Sequence, residues 1–240
     1  MSSENLPDVN QNGVDDTASF LKIAAGFVPL AGPIFAEIIG SLIPNQRMDR
    51  ITEFLKILDI RVQALGHDWE TLREKMTEES FMNLFEEGTW QAARASSTEQ
   101  KEYIANLLAN GIDDEVLDEL QKGVFLKILS ELNDAEILIL YSYTHKMWND
   151  ADFYEQHKDI LIGPIAHTGS DSDDINDETV YKTYREKLIR LNLLNLTFPS
   201  VKKGEIPDFD PKTGIMKSRG HELTSLGRLF LKYIGLEDIF

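Results

Sequence analysis

The sequence predicts a mainly α-helical protein: an apolar helical hairpin, a helical bundle, and a C-terminal helical module that includes a small β-hairpin. Three observations carry this. The chain has 240 residues, 42% of them hydrophobic, enough to bury one large core or two small ones. Apolar residues recur at steps of three and four from Met48 to Met147. Beyond Leu194 that period gives way to alternation and to closely spaced Pro and Gly.

The N-terminal elements come first. Residues 1–19 are polar, lack the basic flank of a secretory signal and read as a disordered tail. From Phe20 to Ile43 the only charges are Lys22 and Glu37, a stretch comparable in length to the ~20 apolar residues that cross a bilayer. Pro29 and Pro33, with Gly26, Gly32 and Gly40, divide residues 20–44 into two pieces, each about 15 Å long and too short to span alone. Glu37 would also be costly in lipid. Two readings stay open for this hairpin and its residues Phe27, Pro29, Gly32, Pro33, Phe35, Glu37 and Gly40: part of the core, or a surface for a membrane or a partner. Pairing of Glu37 with Arg47 or Arg50 would hold it in the core.

The bundle, residues 20–132 with the hairpin, follows from periodicity. Ile51, Leu55, Leu58, Val62 and Leu65 form one stripe of a helix over 48–65, which Gly66 ends. Trp69, Leu72 and Met76, then Phe81, Leu84 and Phe85, read as two helices broken near 77–80. Ser97 with Gln100 resembles a capping box before Ile104, Leu107 and Leu108. Leu117, Leu120, Val124, Ile128 and Leu132 line the next helix, and Asn133 or Asp134 caps the one after, which holds Ile137, Leu138, Leu140 and Tyr141.

Residues 133–240 form the last module. The acidic run 167–179 reads as a solvated loop, followed by a helix over 178–193 carrying Tyr181, Tyr184, Leu188 and Leu191. Leu194–Phe198 alternates as a strand, a second short strand is expected over 214–217, and Glu222-Leu-Thr-Ser leads into a final helix with Leu226, Leu229, Phe230 and Tyr233. Helix, strand, wing, strand and helix, with helices over 135–147 and 151–160 ahead of them, compose a winged-helix-like domain.

Charge is uneven. Net charge is −17, yet residues 1–179 carry −21 and 180–240 carry +4, which argues against a generic nucleic-acid coat. Lys182, Arg185, Lys187 and Arg190 on the 178–193 helix, with Lys202 and Lys203 in the wing, are the candidate nucleic-acid contacts.

Enzyme and metal signatures are sparse. With no cysteine, disulfides, thiolate catalysis and cysteine-ligated metals are excluded. His67, His145, His157, His167 and His221 share no ligand spacing, and no phosphate-cradling glycine loop or serine elbow occurs. Asp8, Asn10, Asn12 and Asp16, with Gly13 at the sixth position, follow a calcium loop, but Ser19 stands where a bidentate Glu should close it. The expectation is therefore no enzyme, no cofactor and no small-molecule substrate.

A resemblance adds to this reading. The Gly/Pro-rich apolar head, Ile43-Pro-Asn-Gln-Arg-Met-Asp-Arg50, the Phe125–Leu138 helix pair, Leu188-Ile-Arg-Leu-Asn-Leu-Leu194 and Leu223-Thr-Ser-Leu-Gly-Arg-Leu-Phe230 together resemble bacterial abortive-infection alpha proteins. The resemblance spans most of the chain as short apolar patterns and transfers no catalytic residue. It implies an anti-phage defence role; the apolar hairpin adds the expectation of a protein partner, self-association or a membrane, in the cytoplasm or peripherally at the inner membrane. The alternative is a cytoplasmic winged-helix regulator that binds DNA.

Overall fold

A computed structural model describes residues 47–67, 74–75, 78–113, 119–145, 150–163, 171–211 and 214–236. The apolar hairpin, the polar tail and the calcium candidate Asp8, Asn10, Asn12 and Asp16 lie outside the described residues, as does the Glu37 side of its expected pairing. The chain divides into two compact units between Ser130 and Glu131. Among the described residues no helix is long and apolar enough to cross a membrane.

The first unit holds α1 (Met48–Ala64), α2 (Glu79–Arg94), α3 (Thr98–Asp113) and most of α4 (Glu119–Glu131). α1, α2 and α3 pack mutually. The expected α1 stripe of Ile51, Leu55, Leu58 and Val62 is fully buried and is widened by Phe54. Leu65 is exposed instead, because α1 ends one residue earlier. Gly66, at φ +83°, then stops the helix as expected, with Gly66 and His67 N–H groups returned to Gln63 and Val62 carbonyls. α2 crosses α3 at Gly88, where an added Cβ would lie 3.0 Å from Leu108 Cδ1, so only glycine permits this approach without displacing that side chain. The α3 start is fixed by Ser97 Oγ, which accepts from Gln100 N–H at 3.1 Å, while the Gln100 side chain reaches back to Ser96 N–H.

The phase of α4 differs from expectation. Val124 is about half exposed, whereas Phe125, Leu126, Ile128 and Leu129 are buried beside Lys122. Lys122 is drawn inward because its ammonium donates to the Gly111 carbonyl at 2.9 Å, near the C-terminal end of α3 where a cation is favoured.

The second unit holds α5 (Asp134–Ser142), α6 (Ala151–Gln156), α7 (Lys158–Leu161), α8 (Ser172–Arg190), β1 (Leu194–Thr197), β2 (Gly220–Leu223) and α9 (Ser225–Tyr233). Asn133 caps α5 in a full capping box with Glu136. The acidic run is not a loop over its described part: Asp171 accepts from Asp173 and Asp174 N–H groups, and α8 begins at Ser172. Carboxylates at that end favour the helix dipole, and the first turns are exposed on all sides, which leaves no apolar period to read.

β1 and β2 are antiparallel, with Leu194 opposite Leu223 and Thr197 opposite Gly220. The expected strand over 214–217 is corrected: only Met216 bridges, to Phe209, inside the connection, and the strand that pairs with β1 is Gly220–Leu223. Four residues carry too few alternations to separate a strand from a helix approach.

The Leu223-Thr-Ser-Leu-Gly227 motif clamps the unit together. Thr224 Oγ1 accepts from Gly227 N–H at 2.8 Å and faces the Asn192 and Leu193 carbonyls at 2.8 and 3.1 Å. Those carbonyls belong to the turn that ends α8, where Asn192 adopts φ +58° and the Leu193 N–H returns to the Leu188 carbonyl. Leu188 and Leu193 are both fully buried across that cap.

Candidate interaction surface

The expected nucleic-acid contacts on α8 are occupied within the chain. Lys182 pairs with Glu178 at 2.8 Å, Lys187 with Glu136 at 2.8 Å and Arg190 with Glu131 at 3.4 Å. Lys187 is the strongest case, because Glu136 is buried and also accepts from the Asn133 N–H at 2.8 Å.

Arg185 is half-buried in an aromatic cluster. It donates to the Tyr181 hydroxyl at 3.0 Å and its guanidinium lies 4.9 Å from the Tyr181 ring centroid. Tyr181 in turn donates to the Leu161 carbonyl at 2.7 Å. Burial raises the Tyr143 pKa, against the pull of the nearby Arg185 charge. His221 meets Tyr143 edge-on at 6.4 Å, and burial first, then Arg185, lowers its pKa below 6.5.

The His221 shift fixes the sign of a pH dependence. The unfolded chain binds the proton more readily, so this stability is fully present above about pH 6.5 and is lost as pH falls toward the lower folded pKa. Urea midpoints of the wild type should therefore drop between pH 7.5 and pH 5.5 by more than those of His221→Gln. Equal drops would remove His221 as the cause.

A second polar group joins the end of α5 to α6. The His145 ring stacks on Phe153 at 4.1 Å, meets Tyr141 edge-on and places Nε2 3.4 Å from Asp150 Oδ2, with Thr144 Oγ1 2.9 Å from Nδ1. Hydroxyl, imidazole and carboxylate thus stand in line. The Thr144 hydroxyl, however, donates to the Tyr141 carbonyl, and Tyr154 spans the Ser142 and His145 carbonyls, which makes the group a fastening of a helix end. Among the described residues no set of three His, Asp or Glu is placed to hold a metal ion.

The surface that sequence reading missed is apolar. Six of the thirteen large hydrophobic side chains that the described residues expose fall between Leu196 and Ile215, a concentration beyond the scattered exposure normal for a soluble surface. Ile206 is 87% exposed and Ile215 61%. A shallow hollow of about 370 Å³ opens at Ile215, lined also by Leu196, Asp210, Met216, Lys217 and Ser218. Two turns shape the connection. Glu205 N–H returns to the Lys202 carbonyl at 3.0 Å through Gly204 at φ +93°, a backbone state that favours glycine, and Asp210 N–H bonds the Ile215 carbonyl at 2.9 Å. The sequence signal is present in Val201, Ile206, Phe209 and Ile215, but the Pro and Gly between them hide any apolar period.

Lys202 and Lys203 are exposed in the first turn, as is Arg219 at the far end, and Lys217 pairs with Asp208 at 2.9 Å. Comparison with protein-family models, curated proteins and solved structures finds no match to this chain.

Proposed function

We propose that the chain is a non-enzymatic interaction protein of bacterial anti-phage defence, of the abortive-infection kind, whose second unit is a winged-helix-like module that docks through its wing, residues 198–219. The element order α8, β1, long connection, β2, α9 supports the module. The observation that carries the docking role is the concentration of exposed apolar side chains on that connection.

The alternative of a DNA-reading regulator has less support. The α8 cations have partners within the chain, leaving Lys202, Lys203 and Arg219 as the unpaired cations of the described wing and its flank. Three phosphate contacts correspond to a salt slope of only about −3 on logarithmic axes.

The test is expression in a phage-sensitive bacterium against a phage panel. The wild type should lower plaquing, and Val201→Asp with Ile206→Asp should abolish protection while shifting stability by less than about 0.5 kcal/mol, since both side chains are exposed. Protection that survives this change would overturn the docking role. Lys202→Glu with Lys203→Glu, assayed on duplex DNA, tests the alternative without disturbing Arg185.

A further inference from the structure

We infer that the wing is a contact for an anionic lipid surface, a proposal that rests on the docking role above and names its occupant. The turn closed by Glu205 N–H on the Lys202 carbonyl sets Val201 and Ile206 at its two feet with Lys202 and Lys203 between them. Phe209 and Ile215 flank the neighbouring turn. Apolar side chains beside unpaired lysines match the two layers of a bilayer face. The apolar groups leave water among acyl chains, while the ammonium groups stay at phosphate level with their stems alongside.

Exposure favours a fluid occupant over a folded one. Ile206, at 87% exposure, stands out from a turn rather than lining a groove, and a bilayer accommodates such a side chain without a matching pocket. Charge complementarity favours an anionic one. The lysines are local cations on a chain of net charge −17, and at physiological salt charges more than about 8 Å away are largely screened, whereas contact pairs are not. The contact is distinct from the 20–44 segment, so its test must report on the wing itself.

The absence of cysteine supplies that readout: Ile206→Cys in the full chain takes one environment-sensitive fluorophore, with Val124→Cys as a control exposed on the first unit. Circular dichroism confirms that both labelled chains fold. Vesicles of phosphatidylcholine with 30% phosphatidylglycerol, a probe composition of about one anionic lipid in three, should shift the residue-206 emission to the blue and leave residue 124 unchanged. Phosphatidylcholine alone should bind at least about tenfold more weakly, and Lys202→Glu with Lys203→Glu should lower partitioning by a similar factor or more.

A residue-206 label that ignores anionic vesicles overturns the lipid assignment, whether or not the protein floats with them by another segment. A shift that instead follows protein concentration, or added duplex DNA, assigns the wing to a second copy or to nucleic acid and likewise overturns it. The docking role is judged separately by plaquing: loss of protection in Val201→Asp with Ile206→Asp, without a vesicle response, leaves that role standing with another occupant.

Discussion

Gly227→Val should destabilise the second unit by about 3 kcal/mol or more, at the upper end of overpacking effects. A Cβ at residue 227 would lie 2.4 Å from the Leu193 carbonyl oxygen and 2.8 Å from Leu223 Cδ1. The first contact is with backbone, held in place by the α8 terminating turn and by Thr224, so it has no rotamer to escape into. Relief requires α9 to move away from the turn that ends α8, exposing Phe230 and Leu231, both fully buried. Gly123→Ala is the control, because a Cβ there meets nothing within 4 Å inside α4, and it should add about 0.5–1 kcal/mol. Urea unfolding followed by circular dichroism reads both. A Gly227→Val midpoint equal to the wild type would refute the clamp.

Lys187→Met should cost about 2–4 kcal/mol, the second-largest effect expected. It leaves the Glu136 carboxylate, whose side chain is 3% exposed, with the Asn133 N–H as its one remaining partner among the described residues. Lys187 itself is 26% exposed, so part of the loss is offset by water that reaches the vacated space. Glu136→Gln keeps an acceptor for the cap while removing the charge, and in that background Lys187→Met should cost markedly less. A coupling of about 1–3 kcal/mol in this cycle is the expected signature, and additive effects would place the cost elsewhere. Lys187 is thereby a residue of the folded state, and its replacement is a poor probe of nucleic-acid binding. The same holds for Arg185, whose loss would remove one donor from the Tyr181 hydroxyl, which keeps its own bond to the Leu161 carbonyl, and empty a half-buried site among aromatic rings.

The consequence for function is a change of surface. The sequence directs attention to a basic helix, because Lys182, Arg185, Lys187 and Arg190 stand close together along α8. Their partners Glu178, Tyr181, Glu136 and Glu131 include two that are 51 and 59 residues away in the chain. The wing, read from the sequence only for its lysines Lys202 and Lys203, is where unpaired cations and exposed apolar side chains coincide among the described residues.

What the sequence determined by itself is local. The α1 stripe of Ile51, Leu55, Leu58 and Val62 was legible because a 3.6-residue period marks a buried face whatever covers it. The Asn133 cap and the Gly66 stop were legible because each acts on backbone groups within a few residues. Tertiary structure decided the rest. Lys122 turned inward to reach Gly111 and set the phase of α4, which a pattern of apolar residues alone misplaces at Val124. The start of α8 at Ser172 carries no apolar face in its first turns, so its helical state left no periodic trace. Pairing of Gly220–Leu223 with β1 was likewise settled by a partner more than twenty residues away. Periodicity records which side of an element avoids water; only the folded chain supplies the groups that neutralise a charge, fix a register or leave an apolar turn uncovered.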